Sequence, residues 1–327
     1  MMRRPAMVTA AAVLCAAFVT SAGAAADAGT PANAAVGRTW GTAAEVPGTA
    51  ALNKSGQAGV GALSCAASGD CSAGGSYASG PGVGGPTLQA YVVNETHGTW
   101  GTAKEVPGTA ALNAGGNAKV LAISCATAGN CLAGGYYTQG ASGLRQAFVV
   151  TETGGTWATA VEVSGTATLN QGHPGAAVTS VSCAAPGDCS AGGLYLDAAF
   201  NEGAFIVNET NGTWGAAEEV PGIAALNQGS PGATVASVSC AGPLICSAGG
   251  FYSDSGNNHQ AFVVNERNGI WRTAEEVPGT ASLNAGGLAG IGVLSCPTSG
   301  LGLCSAGGSY TDASLHTQAF TVNESSG

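Results

Sequence analysis

The sequence predicts an all-β fold built from five repeated antiparallel sheets. Three observations predict it: a fivefold internal repeat, strand-length apolar segments between turn residues, and one cysteine pair in every repeat. Trp40, Trp100, Trp157, Trp214 and Trp271 stand 60, 57, 57 and 57 residues apart. Each precedes a Glu-Val pair, at Glu45/Val46, Glu105/Val106, Glu162/Val163, Glu219/Val220 and Glu276/Val277. A Leu-Asn step follows at Asn53, Asn113, Asn170, Asn227 and Asn284. Then come the cysteines, a Gly-Gly pair, a tyrosine, a variable loop and an apolar run.

Four segments per unit have strand length and turn-forming boundaries. In the third unit they run from Trp157 to Val163, Val178 to Cys183, Cys189 to Tyr195 and Ala204 to Glu209, separated by turns such as Ser164-Gly165, Pro186-Gly187 and Asn211-Gly212. A four-stranded antiparallel sheet repeated so regularly is the blade of a β-propeller, whose sheets bury both faces against their neighbours. The expected architecture is a five-bladed β-propeller. The last unit stops at Gly327, short of a sixth tryptophan, while Gly37 to Trp40 opens the first. The N-terminal strand, Thr39 to Val46, is therefore expected to complete the last blade, Gly290 to Glu324, and close the ring.

The chain opens with Arg3 and Arg4, an apolar stretch from Met7 to Val19 and a run of small residues ending at Ala26. That order is a secretory signal peptide, residues 1–26, and the apolar stretch is shorter than the roughly 20 residues a membrane span needs. Residues 27–36 read as a disordered linker and 37–327 as a single five-repeat domain. The expected location is extracellular, with no membrane insertion after cleavage. The net charge is −10, and two of the nine basic residues belong to the signal peptide. An anionic chain without a Lys/Arg cluster does not grip a phosphate backbone, so nucleic acid is excluded as a partner.

Cys15 leaves with the signal peptide. The ten others form pairs flanking short turns: Cys65/Cys71, Cys125/Cys131, Cys183/Cys189, Cys240/Cys246 and Cys296/Cys304. Pairing within each unit as a disulfide is the economical assignment in an oxidising compartment. Zinc sites use shorter spacers and four convergent ligands, and the four histidines occupy no common repeat position, so neither a metal nor another cofactor is expected.

Tyr77, Tyr137, Tyr195, Tyr252 and Tyr310 recur just before the most variable loop and are possible ligand-binding residues. Five aromatic rings near one rim can stack on sugars or cations. Packing between blades, with each hydroxyl satisfied at the core edge, is the structural alternative. The tryptophans are read as blade packing, the Leu-Asn asparagines as turn caps, and the Glu-Val glutamates as charges that protect a sheet edge. Asp254 to Asn258 carries oxygen side chains suited to a hard cation but lacks the acid spacing of a calcium loop, and is read as a solvated loop.

The units, with Glu45 to Asn53 (EVPGTAALN), Ser64 to Cys71 (SCAASGDC) and Gln260 to Glu266 (QAFVVNE), resemble the repeats of uncharacterised secreted bacterial propeller-like proteins. The resemblance implies the fold and brings no activity or site residue with it.

Because nearly every polar feature comes in fives, the expected function is that of a non-catalytic binding or scaffold module for an extracellular glycan or protein, gaining avidity from repeated sites. The alternative is a glycoside hydrolase, which needs two carboxyl groups a few ångströms apart. Asp70, Asp188 and Glu202 break the repeat and are the candidates, though they lie in different turns and loops.

Overall fold

The structure is a computed structural model that describes residues 39–82, 85–140, 144–171, 175–298 and 303–325. The expected signal peptide and linker lie outside these residues. Backbone contacts divide the chain into residues 1–44 and residues 45–327.

Residues 45–327 form five antiparallel sheets. Sheet one contains β1 (Ala58–Ala67), β2 (Asp70–Gly82), β3 (Gly85–Thr96) and two short pieces, β4 (Thr99–Trp100) and β5 (Lys104–Glu105), both paired with β3. The expected fourth strand is therefore present but interrupted in this sheet. Sheets two, three and four repeat the plan, their first strands being Lys119–Thr127, Ala176–Ala185 and Thr234–Gly242. Each first strand packs beside the next along the series, ending at Gly290–Ser295 of sheet five.

The Gly-Gly pair makes both kinds of close packing possible. A Cβ on its second glycine, as at Gly135 or Gly193, would fall 1.9 Å from a carbonyl oxygen of the first strand, where the register shifts by a bulge. A Cβ on its first glycine would strike the next sheet: Gly134 would meet a Val178 methyl at 2.5 Å and Gly192 a Val235 methyl at 2.7 Å. Those valines are fully buried between sheets. Between units, Gly108 at φ 86° turns the chain into a one-turn helix, Thr109–Leu112, and the Thr109 hydroxyl donates to Val106 O at 2.7 Å.

Polar contacts repeat at every sheet boundary. The serine before the first cysteine of a unit accepts a hydrogen bond from a cysteine amide of the following unit: Ser64 from Cys125, Ser124 from Cys183, Ser182 from Cys240 and Ser239 from Cys296, each at 3.0 Å. Asn94, Asn208 and Asn265 donate to Glu152, Glu266 and Glu324 of the following sheet. Trp157 and Trp271 donate their indole N–H to Asn94 and Asn208. Trp100, Trp157, Trp214 and Trp271 thus pack against the cores as expected, Trp157 and Trp271 also tying the boundary, whereas Trp40 is exposed and does not pack.

One expectation is corrected. Residues 39–46 form no strand, Trp40 is fully exposed, and sheet five has three strands among the described residues: Gly290–Ser295, Ser305–Thr311 and Thr317–Asn323. The strand expected of Thr39 to Val46 as the closing piece of the last blade is not formed. In the other sheets the outermost strand is two two-residue pieces, the first delivered by a tight turn directly after the third strand. A segment from the far end of the chain lacks that covalent turn, and so few backbone pairs do not offset the entropy of fixing it.

Candidate functional site

Each unit has two ends. One carries the turn between the cysteines, and the other carries the loop between second and third strands together with the Leu-Asn connection. All five disulfides are formed as assigned, each closing its own turn: Cys65–Cys71, Cys125–Cys131, Cys183–Cys189, Cys240–Cys246 and Cys296–Cys304. The second cysteine of each pair is buried. At three boundaries its sulfur also rests against a serine hydroxyl of the preceding sheet, Cys131 on Ser72 at 3.3 Å, Cys246 on Ser190 at 3.3 Å and Cys304 on Ser247 at 3.2 Å. Among the described residues no group of three or more His, Cys, Asp or Glu is arranged to hold a metal ion.

The tyrosines lie at the loop end, and four are sealed in. Tyr77, Tyr137, Tyr195 and Tyr252 are buried, and their hydroxyls donate to Glu105, Glu162, Glu219 and Glu276 at 2.5, 2.6, 3.0 and 2.8 Å. Burial, followed by the adjoining carboxylate, holds these phenols above their ordinary range. Little of each ring reaches solvent, and Tyr195 lines a cavity. Tyr310, in the sheet that has three strands among the described residues, is half-buried. Four of the Glu-Val glutamates are therefore hydrogen-bond acceptors for the tyrosines, and the fifth, Glu45, accepts from the Thr49 hydroxyl and the Ala50 amide. A Tyr and a Glu recurring once per unit was the sequence signal for this pairing.

The Leu-Asn asparagines cap turns and also join neighbouring units. Asn113 Oδ1 accepts from the Asn117 amide at 2.8 Å, while its amide donates to Leu88 O and Gln89 Oε1 of the preceding sheet. The same Oδ1 accepts from the Thr138 backbone of its own sheet.

Beyond these buried stitches, the loops of sheets three, four and five share one geometry. Asp197 Oδ1 accepts from the amides of Ala199 and Asn201, Asp254 from Gly256 and Asn258, and Asp312 from Ser314 and His316. These bonds keep all three carboxyl groups below the usual aspartate value, against burial at Asp197 and Asp254 and aided by Gln318 at Asp312. Asp254 spends its oxygens on loop donors, including Gln260, as a solvated loop does. The fourth residue of each loop is exposed in the left-handed region: Phe200 at φ 63°, Asn257 at φ 62° and Leu315 at φ 62°. Asn adopts that conformation readily, whereas a bulky Phe or Leu does so at a cost.

The repeat-breaking acids do not meet. Asp70 and Asp188 lie at the cysteine end and accept the amides of His97 and Asn211 at 3.1 Å. Glu202 lies opposite Leu196 at the far end of the strand Asp188–Leu196. At about 3.3 Å per residue that places Asp188 and Glu202 roughly 25 Å apart, too far for a catalytic pair.

Glu202 instead shares a cavity of about 440 Å³ with Tyr195, Asp197, Glu219 and Asn227. Gly203 stands where the other units have Gln, and the Tyr195 ring leans over it. Each acid is already engaged: Asp197 by its loop, Glu219 by Tyr195, and Glu202, raised by burial, by the Thr234 hydroxyl. A second cavity, of about 520 Å³, opens at the cysteine end between sheets two and three and is lined by Glu152, Glu209, Pro186 and Trp214. There Thr151 and Leu132 replace the Asn and Ser found at equivalent places. Cys131, Cys183 and Cys189 reach the wall of this second cavity, whereas Cys240, Cys246, Cys296 and Cys304 line neither one. The bridges of sheets four and five therefore pin hairpins and present nothing to a ligand in either cavity.

Sheets of this plan packed in series define a protein of the β-propeller class. The chain is similar to the Hadza microbial sialidase Hz136, at 12% identity and a TM-score of 0.50, over 81% of this chain and 58% of that one. It thus spans somewhat more than half of the sialidase's length. A protein of unknown function from Dyadobacter fermentans matches at 11% identity and a TM-score of 0.46, over 80% of this chain and 78% of its own. At these identities the likeness is one of fold. Neither a protein-family model nor a curated protein matches the chain in sequence.

Proposed function

We propose that the protein is a secreted, non-catalytic binding module that engages an extracellular glycan or protein through the loops between second and third strands. The observation that carries this reading is the shared loop frame of sheets three to five, with Phe200, Asn257 and Leu315 exposed at one position. A fixed frame with a variable, solvent-exposed tip suits recognition. The repeated tyrosines and glutamates satisfy one another inside the sheets, which moves the binding role to the tips. Five disulfides fit an oxidising compartment.

The glycoside hydrolase reading draws on the three carboxyl groups lining the cavity beside Tyr195. Their prior engagement with loop and core donors favours the binding module. The test is retention of the mature protein on a glycan array and on isolated cell walls, beside the Phe200→Ala/Leu315→Ala double variant. Retention by the wild type and its loss in the variant is the expected result. No retention on either support, or hydrolysis of an arrayed glycan that Glu202→Gln abolishes, would overturn the reading.

A further inference from the structure

We propose that two copies of this chain associate head to tail, the free face of sheet one in one molecule docking on the free face of sheet five in the next. The four boundaries inside the chain are built from one pair of complementary faces, and one face of each kind is left uncovered at the two ends of the series.

The following sheet of each boundary supplies two apolar residues from its first strand and a cysteine amide. At the four internal boundaries the apolar pairs are Val120/Ile123, Val178/Val181, Val235/Val238 and Ile291/Leu294. All are buried except Leu294, which is half-buried. In sheet one the same register positions hold Val60 and Leu63, which are 52% and 55% exposed. Cys65 is exposed as well, whereas Cys125, Cys183, Cys240 and Cys296 are covered to varying degrees. Glu95 occupies the position of Glu152, Glu209 and Glu266, which are almost wholly buried against the preceding sheet.

The preceding sheet of each boundary supplies the serine acceptor, an amide side chain and a small or apolar surface. In sheet five these are Ser295, Asn323, Val293 and Thr321, all exposed. Ser295 aligns with Ser239, the acceptor for the Cys296 amide, and Asn323 with Asn265, the donor to Glu324. Placing sheet one of a second copy on this face gives Ser295 the Cys65 amide, Asn323 the Glu95 carboxylate, and Val293 and Thr321 the side chains of Val60 and Leu63. Every group then acquires the kind of partner its counterparts already have. The contact is heterologous, so it propagates or closes according to the angle it sets.

Sedimentation equilibrium of the full chain tests the proposal. The wild type is expected to associate with rising concentration. Leu63→Asp blocks only the sheet-one face and Thr321→Arg only the sheet-five face, so each alone stays monomeric. Each retains one good face, and mixing the two restores a single one-to-one dimer. Both positions are exposed, so circular dichroism should match the wild type; if either variant misfolds, Val60→Asp and Ser295→Arg take their places. A wild type that remains monomeric, variants that associate as it does, or a Leu63 amide protected from hydrogen exchange in the monomer, meaning that the chain covers its own face, would each overturn the proposal.

Discussion

The hydroxyl of Tyr137 donates to the carboxylate of Glu162 at 2.6 Å, joining the end of a second strand to the outermost strand of the same sheet. The ring is 1% exposed, and three other units make the same contact. Tyr137→Phe leaves the ring in place and strips Glu162 of its donor. It should cost about 1–2 kcal/mol, read as a fall in thermal midpoint, and leave retention on glycan or cell wall unchanged. A loss of retention with an unaltered midpoint would return the tyrosines to the binding surface.

Gly193 and Gly292 give opposite expectations for one substitution. Gly193→Ala drives a methyl to 1.9 Å from Ala177 O, and at Gly292 a methyl meets nothing within 4 Å. The first should yield no soluble folded protein. The second should shift stability by no more than about 0.5 kcal/mol, measured by denaturant titration.

Val178 and Val60 hold the same place in different sheets, one buried and one about half exposed. Val178→Ala should cost roughly 2 kcal/mol through lost burial and the cavity left behind. In dilute, monomeric protein Val60→Ala should cost well under about 1 kcal/mol. Equal costs would mean that the sheet-one face is covered within the monomer.

Stability should peak in mildly acidic solution. Burial raises Glu152, Glu209 and Glu266 above the ordinary 4.5. The folded chain therefore holds these protons more tightly than the unfolded one, and the associated stability is full below 4.5 and lost as pH rises through the raised values. Asp197, Asp254 and Asp312 lie below the ordinary 3.8, so their contribution is present above it and lost as pH falls through the lowered values. Calorimetry should show the thermal midpoint declining as pH rises from 4.5 through the raised values, with a shallower decline in Glu266→Gln. A midpoint that climbs across that interval contradicts the assignment.

The sheets, their strand order and the disulfide pairing could be read from the sequence because they rest on local signals. Cysteines six residues apart, Asn211-Gly212 and alternating apolar residues act within a hairpin. What escaped was contact between units. Ser64 looks like any strand serine until its partner, the Cys125 amide, is seen 61 residues away. The interrupted fourth strand and the one-turn helix at Thr109–Leu112 are too short for periodicity to register. The Asp-capped loops were visible as oxygen-rich, but the left-handed tips at Phe200 and Leu315 were not, since neither residue type advertises that conformation. The strand expected around Trp40 is not formed for a different reason: matching motifs at two chain ends establish similarity of sequence, and say nothing of whether so few backbone pairs can hold an untethered segment.

Each disulfide bridges residues six or eight positions apart, and none links one sheet to another. A protease cutting between Cys183 and Cys189 leaves both fragments covalently attached. One cutting at the Gly165 connection severs the polypeptide into pieces that only non-covalent packing retains. The bridges guard the tips of the hairpins against shedding, while resistance of the whole array to digestion depends on how seldom the seams between sheets come apart.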